Sequence, residues 1–165
     1  MLERRKSKMK KGFAVLTGVI GFISGAVLMG RMASKNLNEW KKMSDKFFSN
    51  MTLFNQWMMA KQSGKNIADY LEKNNYKKII IYGMSYIGER LVDELNNTEI
   101  EIVAGVDRNA KGIFANMPML LPDEDMPEAD CMIVTPVFFF DEIKEKMVSR
   151  FSNPIISFED IFYDL

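Results

Sequence analysis

The chain contains no histidine. This removes the commonest general base and rules out Ser-His-Asp and Cys-His chemistry. A single cysteine, Cys131, rules out an internal disulfide. It sits in the apolar run "CMIVTPV" and reads as a buried, inert thiol. With one cysteine and no histidine, the chain lacks the usual ligand set for zinc, and no metal is expected. The acidic residues Asp123, Glu124, Asp125, Glu128 and Asp130 lack the glycine-punctuated spacing of a calcium loop and read as a solvated turn. The Tyr-x-x-x-Lys pair of short-chain dehydrogenases is also absent; the nearest imitation, Tyr86 and Arg90, belongs to a scaffold helix.

Net charge is zero over 165 residues, yet the two halves are opposed. Residues 1–76 hold 14 Lys+Arg against 5 Asp+Glu, a net +9, and residues 77–165 hold 8 against 17, a net −9. An acidic folded half argues against nucleic acid as a partner. The basic half suits an anionic membrane surface.

Four stretches follow from patterning: a basic tail at 1–11, a membrane span at 12–30, a helical connector at 31–76, and an α/β domain at 77–165. Between Lys11 and Arg31 lie 19 uncharged residues, "GFAVLTGVIGFISGAVLMG". As a helix rising about 1.5 Å per residue they cross a hydrocarbon core of roughly 30 Å. An uncut single-pass anchor in the cell membrane is expected, rather than a signal peptide cleaved after "SGA". Gly21 and Gly25 make a G-x-x-x-G pair, a candidate for self-association within the membrane. Six basic residues precede the span and four follow it closely, which favours an outside domain. A nucleotide-binding fold with one cysteine favours the cytoplasm, and that is the placement expected.

In the connector, Leu37, Trp40, Phe47, Met51, Phe54 and Trp57 or Met58 recur at intervals of mostly three, four or seven, so the spacing predicts an amphipathic helix. Ser34 or Asn38 would cap its start and Gly64 would end it. The aromatic face over 37–58 is a candidate surface for a protein partner. A short helix follows from Asn66, with Ile67, Tyr70 and Leu71 on its buried face.

From Lys77 onward strand and helix signals alternate: "KKIIIYG", then "YIGERLVDELNN", "IEIVAGVDR", "MPMLLPDED", "CMIVTPV", "FFDEIKEKMVSRF" and "NPIISFEDI". This predicts a five-stranded parallel, Rossmann-like sheet with helices on both faces, one crossover being abbreviated to about a turn. Ligands of such sheets lie beyond the carboxyl ends of the strands, where strand order reverses. The expected site is therefore the loop Gly83, Met84, Ser85, Tyr86, Ile87 and Gly88, with Asp107 and Arg108 after the second strand and Thr135 and Pro136 after the fourth. Gly83 permits the turn, Gly88 close helix packing, and the loop amides meet a phosphate at a helix N-terminus. Asp107 would accept bonds from ribose hydroxyls. Ser85 replaces the middle glycine of G-x-G-x-x-G; its hydroxyl can donate to a phosphate oxygen.

The segments "IIIYGMSYIGERLVDEL", "VAGVDRNA" and "ADCMIVTPVFFFDEI" resemble the Rossmann-like domains that accompany bacterial cell-surface polysaccharide enzymes. The resemblance covers residues 77–165. It implies a nucleotide, NAD(P) or nucleotide-sugar as ligand, and an accessory or regulatory role in surface-polysaccharide biosynthesis. It carries over no acyltransferase or methyltransferase activity, and no complete active site is expected in this chain. Two alternatives stand: a non-catalytic interaction module with a vestigial cleft, and a sugar-nucleotide-modifying enzyme completed by a partner subunit.

Overall fold

A computed structural model describes the backbone of residues 2–165 and the side chains of residue 29 and residues 31–165. The chain divides into two units, Met1–Phe47 and Phe48–Leu165. The expected basic tail, the anchor (apart from Met29) and the Gly21–Gly25 pair lie outside the residues whose side chains are described. Among the described residues, no helix is long and apolar enough to cross a membrane.

The first unit is helical, and helix α1 has the bounds Leu2–Gln62. No separate connector helix starts at Ser34 or Asn38. The Ser34 hydroxyl instead donates back to the Arg31 carbonyl at 3.0 Å, a bond within one helix. In the second unit, α1 ends as expected, with Gly64 in the left-handed region at φ +74. Helix α2 (Ile67–Lys73) follows with Asn66 as N-cap, and Ile67, Tyr70 and Leu71 are buried.

The sheet comprises β1 (Lys78–Tyr82), β2 (Glu101–Val106), β3 (Met119–Leu120), β4 (Cys131–Val134) and β5 (Ile155–Ser157). All pairings are parallel, in the order β3-β2-β1-β4-β5. The runs "IIIY" and "CMIV" are continuous rather than alternating because both faces of the central strands are covered. Ile79, Ile81, Cys131 and Ile133 pack against Leu53 and Trp57 of α1, against α2, and against α3 (Tyr86–Leu95). Ile80, Met132 and Val134 face Ile143 and Met147 of α4 (Phe140–Met147). Full burial of each such isoleucine contributes roughly 1.5–3 kcal/mol. The β2–β3 connection has one 3-10 turn, Ala110–Gly112, and no α-helix joins β3 to β4. Only the latter abbreviation is expected from the sequence.

Two corrections concern boundaries. The stretch "NPIISFEDI" is strand only over Ile155–Ser157; it then turns into α5 (Ile161–Asp164), which buries Ile161 under the sheet. Helix α3 stops at Leu95 rather than running through both asparagines: Asn96 leaves the helical region at ψ 132, and Asn97 then takes φ +68. Asn75 does the same after α2, at φ 60. Asparagine tolerates this region better than any other side-chain-bearing residue.

Trp57 fastens the end of α1 to the sheet. Its ring meets Phe158 edge-on at 4.9 Å between centroids. Its indole N–H donates to Glu94 Oε2 at 2.6 Å, and the Ile67 amide donates to Glu94 Oε1 at 3.1 Å. Lys61 Nζ stands 3.2 Å from the same carboxylate. One acid on α3 thus gathers α1 and the start of α2.

Candidate functional site

The chain crosses from β3 back to β4 on the far side of β1, so strand order reverses between β1 and β4. The loops leaving those two strands carry most of the residues expected from the sequence, and the loop leaving β2 carries the rest.

Gly83 ends β1 with φ +96, a conformation side-chain-bearing residues rarely adopt. Its amide donates to the Val106 carbonyl at 2.8 Å, extending the β1–β2 pairing by one step. A Cβ here would stand 2.5 Å from the Pro136 ring and 2.8 Å from the Thr135 hydroxyl. The β1 and β4 loops therefore meet backbone to side chain. The buried Thr135 hydroxyl donates to the Gly83 carbonyl at 2.6 Å. Gly88, on the first turn of α3, is pressed on the Gly83 carbonyl oxygen, which a Cβ would overlap. Both glycines thus do the backbone work the spacing suggests.

Asp107 does more than the sequence reading assigns to it. Its Oδ2 accepts the Met84 amide at 2.9 Å, and its Oδ1 accepts the Asn109 amide at 2.8 Å. The second bond is an Asx turn, the local device favoured in "DRN". The first ties the glycine loop to the end of β2 and depends on two strands being neighbours. A carboxylate offers about four lone-pair directions, and these two amides occupy two of them. Arg108 and Asn109 beside it are exposed.

Met84 and Ile87 are buried scaffold, 5 % and 4 % exposed. Ser85 is the N-cap of α3 in extended conformation, φ −88 and ψ −163, and makes no side-chain capping bond. Its side chain and that of Tyr86, which is 81 % exposed, face solvent at the helix start. The N–H groups of the first turn of α3 thus lack the usual hydroxyl cap, and the partial positive charge of the helix end is available to an anion.

Because no α-helix covers the β2–β3 connection, a groove of about 470 Å³ opens beside α3. Met84, Val92, Asn96, Ile102, Ile113 and Met117 line it. The sequence reading places no site there; the missing helix in "DRNAKGIFANMP" is the signal that points to it.

Among the described residues, no group of three or more Cys, Asp or Glu side chains is placed to hold a metal ion. Two acids of the 123–130 run serve the backbone. Glu124 accepts the Leu121 amide at 2.7 Å. Asp130 accepts the Lys78 and Lys77 amides at 2.7 and 2.8 Å, and these bonds hold its carboxyl below the usual range. Cys131 is buried in β4, and desolvation pushes its thiol up to about 12.

The fold is thus of the α/β class with a five-stranded parallel sheet, in the strand order of the Rossmann type. Over residues 75–153 the chain is similar to the family described as C2185-like, N-terminal. That span runs from the residue pair before Lys77 through β1, the glycine loop, Asp107 and β4 to the turn before β5. No curated protein and no solved structure matches the chain.

Proposed function

We propose that this chain is a membrane-tethered Rossmann-like module that binds a nucleotide, NAD(P) or a nucleotide-sugar, and serves as an accessory or regulator of bacterial surface-polysaccharide biosynthesis. The ligand phosphate sits at the N-terminus of α3. The observation that carries this reading is the state of the loop. Met84 N–H on Asp107 and the Gly83 carbonyl under Thr135 fix it from inside, while the Ser85 hydroxyl at the helix start makes no capping bond. A helix end so presented favours an anion, and a preformed loop avoids the cost of ordering on binding. Ser85 donates to a phosphate oxygen, and Asp107 accepts from ribose with its remaining lone pairs. The 12–30 run supplies the tether and the domain lies in the cytoplasm, where such ligands are plentiful. The polysaccharide context rests on the sequence resemblance.

The test is thermal unfolding of the full chain in mild detergent with NAD, NADP and uridine-diphosphate sugars at millimolar concentration. One of these raises the midpoint; at a hundred times Kd the stabilisation is about 2.7 kcal/mol. Ser85→Glu, which puts a negative charge at an exposed position, removes the shift and leaves the unliganded midpoint unchanged. No shift with any of the ligands would overturn the reading.

A second reading, a non-catalytic interaction module with a vestigial cleft, is favoured by one observation. A Cβ on Gly83 would stand 2.5 Å from the Pro136 ring, so the β1 and β4 loops pack directly on one another.

A further inference from the structure

The groove beside α3 has one wall built without an α-helix, yet that wall is held at both ends. The Ile113 amide donates to the Ala110 carbonyl at 3.2 Å, closing the 3-10 turn. The Pro118 carbonyl accepts the Gly105 amide at 2.9 Å beside β3. Between these ties stand Phe114, which is fully exposed, and Asn116, also exposed. The opposite wall is α3. Glu89, Asp93 and Asn96 stand at offsets of four and seven, so they fall on one side of that helix, and all three line the groove. Half-buried Ile102 and Ile113 give it an apolar floor. Among the described residues, no lysine or arginine lines it. Arg90 reaches Asp93 at 3.1 Å and Glu89 at 3.7 Å from beside the groove, one cation against two carboxylates.

We propose that this groove binds a neutral saccharide. Charge, hydrogen-bonding capacity and shape select that ligand together. The surplus negative charge disfavours any ligand carrying phosphate or carboxylate, so a nucleotide is not the occupant. Each exposed amide, Asn96 and Asn116, offers two donors and an acceptor, and each carboxylate offers two acceptor oxygens. Such planar groups pair with neighbouring hydroxyls on a sugar ring. The same ring presents a face of C–H bonds, which the Phe114 ring and the Ile102–Ile113 floor cover. The volume of about 470 Å³ falls within the roughly 300–1,000 Å³ of small-molecule sites. A protein segment would need about 1,000 Å² of interface and would desolvate two carboxylates that a single cation shares; saccharide hydroxyls satisfy both acids directly. Because the wall is tied at both ends, the site is preformed and little ordering accompanies binding. The inference does not rest on nucleotide binding: the ligand differs, and so does the part of α3 that it meets.

The test is an amide chemical-shift titration of the full chain, in a detergent without a sugar head group and with no nucleotide added. The probes are neutral hexoses, N-acetylhexosamines and their disaccharides, up to tens of millimolar, with the matching uronic acids as charged counterparts. At least one neutral probe gives saturable shifts at Asn96, Phe114 and Asn116, and its uronic acid binds more weakly. Phe114→Ala and Asn116→Ala each weaken binding about tenfold and, being changes at exposed positions, leave the unliganded thermal midpoint unchanged. No saturable shift in the groove with any of the probes would overturn the proposal. So would binding that both substitutions leave intact, which places the sugar elsewhere, or a uronic acid that binds as tightly as its neutral parent. Groove shifts that grow with protein concentration in the absence of saccharide would also overturn it, since a second copy of the chain would then cover the site.

Discussion

The two tryptophans stand on one helix and meet opposite fates. Trp57 is 7 % exposed, stacked edge-on against Phe158 and bonded to Glu94; Trp40 is 68 % exposed. Both fit the helical spacing of the connector, and the residue type alone does not separate them. What separates them is the partner surface within the second unit: Leu53 and Trp57 have the sheet, α3 and Phe158 to cover them. Met51 and Met58 belong to the same turns of helix and remain exposed. The C-terminal turns of α1 therefore carry two apolar faces, one consumed by the fold and one left over.

The largest expected effect comes from breaking the consumed face. Trp57→Ala should destabilise the sheet domain by about 3–5 kcal/mol, as for a large aromatic removed from a packed core. Trp40→Ala should change it by less than about 0.5 kcal/mol, as at an exposed position. Chemical denaturation followed by circular dichroism measures both; equal losses would erase the distinction between the faces.

A smaller effect tests the polar clasp. Glu94→Ala removes the acceptor of the Trp57 indole and of the Ile67 amide. It should cost about 1–3 kcal/mol, the range for leaving buried donors unpaired. Glu39→Ala on the other stretch of α1 should be neutral.

Smaller still are the titrations, which belong to the sheet domain and should not respond to changes at Trp40. The Asp130 carboxyl is held below its ordinary value by the Lys78 and Lys77 amides. Its contribution is therefore complete above the ordinary carboxylate value of 3.8 and is lost as pH falls through the folded value. Asp130→Asn should flatten that part of the acid unfolding profile. The Cys131 thiol is raised from 9.0 to about 12 by burial, so the domain should lose stability as pH rises across that interval, and Cys131→Ala should reduce the loss. Native Cys131 should likewise react with a disulfide reagent only as fast as the domain opens.

Much of the fold was legible because its signals are local. The run of three isoleucines before Gly83 can only be a strand covered on both faces, and the glycine spacing that follows fixes the turn into α3. The positions of Gly83, Gly88, Thr135 and Pro136 follow from the same pattern, since strand ends gather at the point where order reverses. What escaped the sequence is tertiary or marginal. The bond from Met84 to Asp107 exists only because β1 and β2 are neighbours, so Asp107 reads as a ligand acceptor and not as the loop's anchor. Helix α5 has four residues, too short for any periodicity to mark. The choice between Trp57 and Met58 as the docking residue turns on Phe158, about a hundred residues further along the chain.

The most direct test of the central claim is an amide chemical-shift titration of the full chain with whichever ligand raises its thermal midpoint. Saturable shifts centred on Ser85, Tyr86, Ile87 and Gly88, extending to Asn109, are predicted for a phosphate at the start of α3 and a ribose near Asp107. Shifts confined to Val92, Asn96 and Ile113 in the neighbouring groove, or no saturable shifts at all, would contradict it.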